Sequence, residues 1–540
     1  MDLTVKNYGK RQQQYKPTFK GPLDGVITNT FRTLDTNEMA NAVLLDVGAM
    51  VVPRTYIDTK KRNKYAGSET FFREICGTFI NCLSAGLLAI PIGILANKYI
   101  NPEIKINNKS WFSNDSLMVL KNSWDESRDG LRGYVNNVMN GMSGHDGSKI
   151  ARWNEINWKN IDWIDEKSWD NIKWENPAYK NISEKLKTSD GIVDTMTEII
   201  KNDNISSKDK KNLFRLIEAR VTNALGVNRS VDVTSGKYKM NATLSNIIRD
   251  TYDMGKDVLT NKNLNIESAL NKIKTVNKVK ILGALSLASV LGLTNQYINR
   301  QITKKRTGST KFVGEVDYEN AVAGKTQEEK KTGGFIFRKL AASAGMIAMA
   351  IGVMRIKNPK DFIRKLEFTG PISSGNAIKT VYTSTIVGRF MAADNDNELR
   401  ESVTRDYFGF LNWLVLGGFA AKGTANLLDK KREFLFNINK EGKGIKHWLN
   451  DITLKSHTEI AAKGKDFAFK NMWKLNVAHM AGLAYSTVAL GFMVPLFNIA
   501  VAEYKKNHQK PLETPPQAIR PDIRENLPVA FEAFKKANTP

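Results

Sequence analysis

ICGTFINCLSAGLLAIPIGILA, residues 75–96, runs for 22 positions without a charged side chain; Glu74 stops just before it and Lys98 follows. A helix needs about 20 apolar residues to cross the hydrocarbon core of a bilayer. A helix in a water-soluble core usually keeps one wet face, and this stretch has none. Its ten Ile, Leu and Phe side chains favour insertion by roughly 3–6 kcal/mol, from which Asn81 and Pro91 subtract. The stretch reads as a membrane span.

Four other apolar stretches resemble it. LNVAHMAGLAYSTVALGFMVPLFNIAVA (475–502) has His479 as its only titratable side chain, and ILGALSLASVLGLTNQYIN (281–299) is uncharged. LAASAGMIAMAIGVM (340–354) and YFGFLNWLVLGGFAA (407–421) are 15 residues each. At about 1.5 Å per residue they fall short of the core unless Lys339, Arg355 or Lys422 snorkels, so span and buried helix both remain open for them. The expected fold is all-α: a multi-pass helical membrane protein with three to five hydrophobic helices and a mainly helical polar insert.

Each stretch carries small residues at i, i+4 and i+8, a spacing that lays a smooth stripe along one helix face and lets helices approach closely in lipid. The stripes are Ala85/Ala89/Gly93, Ala284/Ala288/Gly292, Ala344/Ala348/Gly352, Gly417/Ala421/Ala425 and Ala478/Gly482/Ser486. They are the candidate helix-packing residues.

Between the stretches the chain divides as follows. Residues 1–74 form a polar, basic N-terminal region with a short interfacial helix at 39–52, and hydrophobic helix 1 covers 75–100. The polar insert is 101–278, and hydrophobic helix 2 is 279–300. Residues 301–508 hold the remaining hydrophobic segments (340–354, 407–421, 475–502) joined by basic connectors at 303–335 and 356–405, and 509–540 is a proline-rich tail. In the insert, Leu213, Leu216, Ile217, Val221 and Leu225 fall on one helical face, with Ser206 and Asp209 as a capping pair. The stretch 141–149 reads as a flexible loop.

Two internal echoes stand out. LANKYIN (95–101) and LTNQYIN (293–299) share five of seven residues, and each is expected where a helix leaves the bilayer, with Tyr99 and Tyr297 at the interface. Trp153, Trp158, Trp163, Trp169 and Trp174 recur at steps of 5, 5, 6 and 5. That step fits neither one helical stripe nor one strand face. It suggests short repeated turns, each tucking a tryptophan into a common core.

The chemistry of the chain is sparse. Among five histidines none has a partner at metal-ligand spacing, and no phosphate loop, calcium loop or nucleophile elbow is present. The expectation is a non-enzymatic protein without cofactor or metal. Cys76 and Cys82, six apart on a helix, point to different faces. The net charge of +25 draws the chain to an anionic surface. The expected partners are anionic lipid headgroups and, in the membrane, further copies of this chain or other membrane proteins. Acidic residues around the tryptophans argue against nucleic acid there. Arg54, Lys60, Lys61, Arg62, Lys64 and Arg73 before the first stretch place the N-terminus on the cytoplasmic side, together with residues 303–335 and opposite the insert. An anchoring, scaffolding or membrane-organising role is the leading expectation. A channel or transporter on the small-residue bundle comes second, and a membrane-associated nucleic-acid tether third.

Overall fold

The computed structural model describes residues 22–508 except 62–63, 105–111, 147–148, 162–171, 228–229, 262, 308–333, 368–374, 395, 439–441 and 462. The architecture is all-α, with two small antiparallel sheets attached. Four helices are long and apolar enough to cross a membrane: 66–100, 266–303, 335–353 and 466–501. The stretch 407–421 is not among them.

The chain starts with α1 (Pro22–Thr36) and continues into α2 (38–61) and α3 (64–100), each of the latter interrupted by a π-helical turn, at Asp46–Val51 and Phe79–Ser84. α2 and α3 form a tight hairpin in which Thr70 donates to Asp58 at 2.6 Å. In the segment 39–52, expected at the interface, Ala49, Met50 and Val51 are buried while Leu44 and Val52 are exposed.

The insert follows α3 and has its own apolar core, built from residues 104–273. It is helical, as the spacing predicts, but a four-stranded sheet sits among the helices in the order β2-β1-β3-β4, formed by β1 (Met142–Asp146), β2 (Lys149–Arg152), β3 (Val231–Ser235) and β4 (Tyr238–Ala242). The stretch 141–149, read as a loop, therefore belongs largely to a hairpin. Glycine-rich sequence was taken for slack, yet Gly144 is required: a Cβ there would stand 2.0 Å from Val227. In α4 (Ser207–Leu225) the five residues expected on one face are all buried, and Ser206 accepts from the Asp209 amide at 3.1 Å. The helix stops at Gly226, whose left-handed φ of +70° suits a residue without Cβ. α5 (Leu244–Asp253) completes this part.

Trp153 and Trp158 each open a single 3₁₀ turn, Trp153–Glu155 and Trp158–Asn160, and their rings meet edge to face at 4.7 Å. Trp153 is buried; Trp158 and Trp174 are half-buried and pack on the insert core. Trp163 and Trp169 lie outside the described residues.

α6 (Ile266–Thr307) is one unbroken helix of 42 residues that leaves the insert and runs the length of the bundle. LTNQYIN therefore sits inside a helix and not at its end, unlike LANKYIN, which closes at Ile100. No proline or glycine lies between Asn299 and Thr307 to stop α6 earlier. α6 lies antiparallel to α3, as three pairs along it establish: Lys272 with Glu103 at 3.1 Å, Lys280 over Gly93, and Thr303 donating to Glu69 at 2.8 Å. Tyr99 and Tyr297 are thus toward opposite ends of the helix pair.

α7 (Phe335–Val353) and α8 (Gly375–Ala392) follow. The span 356–405, expected as a charged connector, contains α8, which buries eleven of its eighteen residues, Ile386 and Phe390 among them. Lys379, Arg389 and a scatter of Thr and Ser mask it in the sequence. α9 (396–428) and α12 (465–508) pack antiparallel and again carry π turns, Asn412–Leu416 and Thr487–Met493. Between them lie β5 (Phe436–Ile438), α10 (Ile445–Asn450), β6 (Ile452–Leu454) and α11 (His457–Ala461) around a small core of their own.

α1 sits at the insert-bearing end. Phe31 stacks on His457 with ring centres 5.7 Å apart, Thr28 accepts from Asn476 at 2.9 Å, and α11 touches α4 of the insert. Thr303 is at the other end. Among the described residues, α1 and Thr303 therefore stand at opposite ends of the bundle. α2 supplies a passage along the bundle that its buried Asp46, Arg54 and Asp58 concealed.

Candidate functional site: a buried charge cluster

The bundle is apolar outside and charged inside. Leu87, Leu95 and Val290 are at least half exposed on the flanks of α3 and α6, while Arg54, Glu74, Arg389 and Asp406 are buried. These four, with Arg73 and Arg405, form one network drawn from α2, α3, α8 and α9. Asp406 receives Arg389 Nη1 at 3.0 Å and Arg405 Nε at 2.9 Å. Glu74 faces Arg389 at 3.8 Å, Arg54 at 3.6 Å and Arg73 at 3.5 Å. Thr78 donates to Asp46, and Thr385 donates to Asn81 at 2.7 Å, extending the polar zone along the same helices.

The π turns belong to this zone. Asp46 opens the π turn of α2, Asn81 lies in that of α3, and Arg54 Nε donates at 3.3 Å to the carbonyl of Leu490 in that of α12. A π turn shifts the helical ladder by one residue and re-aims side chains, which is why such turns gather where polar groups must be placed. In α9 the π residue Asn412 accepts from the Tyr485 hydroxyl at 2.8 Å.

Buried charges at such a depth persist only when paired, and here each carboxylate meets two or three guanidinium groups. The arrangement ties four helices together. Sequence reasoning missed it because no single stretch contains it: Arg73 and Glu74 sit just before the uncharged run, Arg389 and Arg405 lie in the segment read as a connector, and Asp406 follows its last residue. The one titratable group singled out from sequence, His479, sits elsewhere, its ring 5.2 Å from His457.

The small-residue stripes occupy three kinds of place. Ala85 and Ala89 are buried against Ala284 and Ala288 on α6. Gly93 makes room for the Lys280 stem, and Gly292 lies against Thr385 and the Val381 carbonyl of α8. Gly417, Ala421 and Ala425 face Ser486, Gly482 and Ala478: a Cβ on Gly482 would come 2.9 Å from that of Ala421, and one on Gly417 would come 2.4 Å from Ser486 Oγ. Ala344, Ala348 and Gly352 are the exception. They point away from the bundle, and nothing lies within 4 Å of a Cβ on Gly352. α7 has small residues on several faces, so spacing alone selects the wrong one; Ser343, Met346 and Ala350 face inward instead. Among the described residues no group of three or more His, Cys, Asp and Glu side chains could hold a metal ion.

Compared with known proteins, the chain matches no family model, no curated relative and no solved structure.

Proposed function

We propose that this is a multi-pass integral membrane protein that holds the folded insert, residues 101–265, at one membrane face, in an anchoring or scaffolding role. The observation that carries this reading is the inverted polarity of the bundle. Water favours apolar groups inside and lipid does not, so a bundle that exposes Leu95 and buries Asp406 fits solvation by lipid. The charge distribution agrees. Residues 101–265 carry 25 Lys and Arg against 23 Asp and Glu, so +23 of the net +25 belongs to the rest of the chain, around the bundle. Its basic loops would hold anionic headgroups. The basic residues Lys60, Lys61 and Lys64 face the cytoplasm in this reading, and α1 and the insert lie opposite.

Fractionation tests the reading. The protein should stay in the membrane pellet through high-salt and carbonate washes and need detergent for release; release by salt alone would overturn it. A second reading, ion transport, is favoured by the charge cluster. Flux through liposomes that Asp406→Asn abolishes would move the function there.

A further inference from the structure

We infer that α10 is an interfacial helix that docks the 427–474 subdomain onto anionic lipid on the insert side of the bilayer, an inference that rests on the membrane reading above. Ile445 and Leu449, four apart, share one helix face, and Ile445 is 78% exposed, among the highest values of any large apolar side chain here. This exposure does not come from a loose segment. Trp448 stacks on Phe419 of α9 with ring centres 5.9 Å apart, and Lys422 caps it, its ammonium 4.5 Å from the ring centre while donating to the Trp448 carbonyl. Asn450 accepts from Arg355, just past the end of α7, at 2.7 Å. α10 is therefore fixed beside two bundle helices at the height where α7 ends.

The surroundings state what covers this face. Leu427, Phe469 and Trp473 are also exposed on the flanking ends of α9 and α12. Lys430, Lys431, Lys443, Lys446 and Lys470 are exposed among them. Residues 422–474 carry twelve Lys and Arg against six Asp and Glu, whereas the insert on the same side is almost neutral. Apolar side chains ringed by lysines at the end of a membrane helix match a headgroup layer, with the apolar groups reaching the acyl boundary and the ammonium groups meeting phosphates. A protein partner would not need this charge, and nucleic acid would not need the apolar face.

The test uses the full chain, lacking Cys76 and Cys82, in nanodiscs of phosphatidylcholine alone or with phosphatidylglycerol. Spin labels are placed by Ile445→Cys, Leu87→Cys and Asn204→Cys, and collisions with oxygen and with a water-soluble nickel chelate are measured. The Leu87 label should lie in lipid in both discs and the Asn204 label in water. The Ile445 label should enter the lipid side of the balance, more so with phosphatidylglycerol. Lys443→Glu with Lys446→Glu should reduce that anionic gain by about fivefold per lysine lost. An Ile445 label as wet as the Asn204 label, with the Leu87 label still in lipid, overturns the inference alone, as does one shielded from both reagents, which would indicate a protein cover. A wet Leu87 label overturns the membrane reading itself.

Discussion

Gly388 of α8 rests on the backbone of Leu293 in α6: a Cβ on Gly388 would stand 2.4 Å from the Leu293 carbonyl oxygen and 2.8 Å from its Cα. Since the obstacle is main chain, no rotamer change relieves it. Gly388→Leu should push the two helices apart and destabilise the bundle by about 1–3 kcal/mol or more. Gly352→Leu, on the outward stripe, should leave the melting temperature in detergent or nanodiscs nearly unchanged. Equal effects of the two would contradict the helix contacts described for α6, α7 and α8.

The buried charges make a second pair of variants informative. Removing one partner of a buried ion pair costs about 3–5 kcal/mol, because the other is left uncompensated. Asp406→Ala takes the carboxylate from Arg405 and leaves Arg389 to Glu74, and should lower stability by that order. Arg389→Met together with Asp406→Leu should cost less than the sum of the single changes. Additive losses would mean that the two side chains do not act as a pair.

Asp250 gives the insert a pH dependence. Burial raises its carboxyl well above the ordinary value, with Asp253 adding to the rise, while a hydrogen bond to Ser116 and the charges of Lys280 and Arg249 oppose it. Its Oδ2 has no hydrogen-bond partner among the described residues. The folded state thus keeps a proton that the unfolded chain releases near pH 4. Between that pH and the raised folded value the unfolded state binds fewer protons, so stability falls as pH rises, by up to about 1.4 kcal/mol per pH unit. Hydrogen exchange over residues 114–260, followed from pH 4 to pH 8, should report that decline, and Asp250→Asn should flatten it. A wild-type profile that rises over the same range would refute the assignment.

Sidedness can be read with an impermeant maleimide. In a chain lacking Cys76 and Cys82, Val26→Cys, Asn204→Cys and Lys305→Cys each expose one thiol. Positions 26 and 204 should label together from outside intact cells and 305 should not. Labelling of 26 with 305, against 204, would restore the topology first read from the basic cluster before residue 75.

Trp153→Ala should cost the insert about 3–5 kcal/mol, the range for a buried large aromatic, since Trp153 lies in the core between residues 104 and 273. Trp158→Ala, at a half-exposed ring, should cost less. Protease resistance of the insert in the full chain separates the two.

The sequence displayed what depends on one continuous run and hid what depends on several. Residues 75–96 and 475–502 announce themselves because an uncharged run longer than 20 residues has few other uses. The face of α4 was legible because helical spacing and a Ser cap agree. α8 was not, because its apolar positions are interleaved with Lys379, Thr385 and Arg389, and the last two find partners on other helices. The charge cluster was invisible for the same reason. In α7 the stripe was real but its direction was not, since spacing fixes a face without saying which neighbour it meets.

The insert stands on two helices of unlike stiffness. α6 enters the bundle as a single rod of about 60 Å. α3 stops at Ile100, and Asn101 leaves the helical conformation while its amide still donates to the Asn97 carbonyl. The insert is thus joined to the bundle by one continuous helix and by one chain reversal, which Asn97 secures by donating to the Ile104 carbonyl at 2.9 Å.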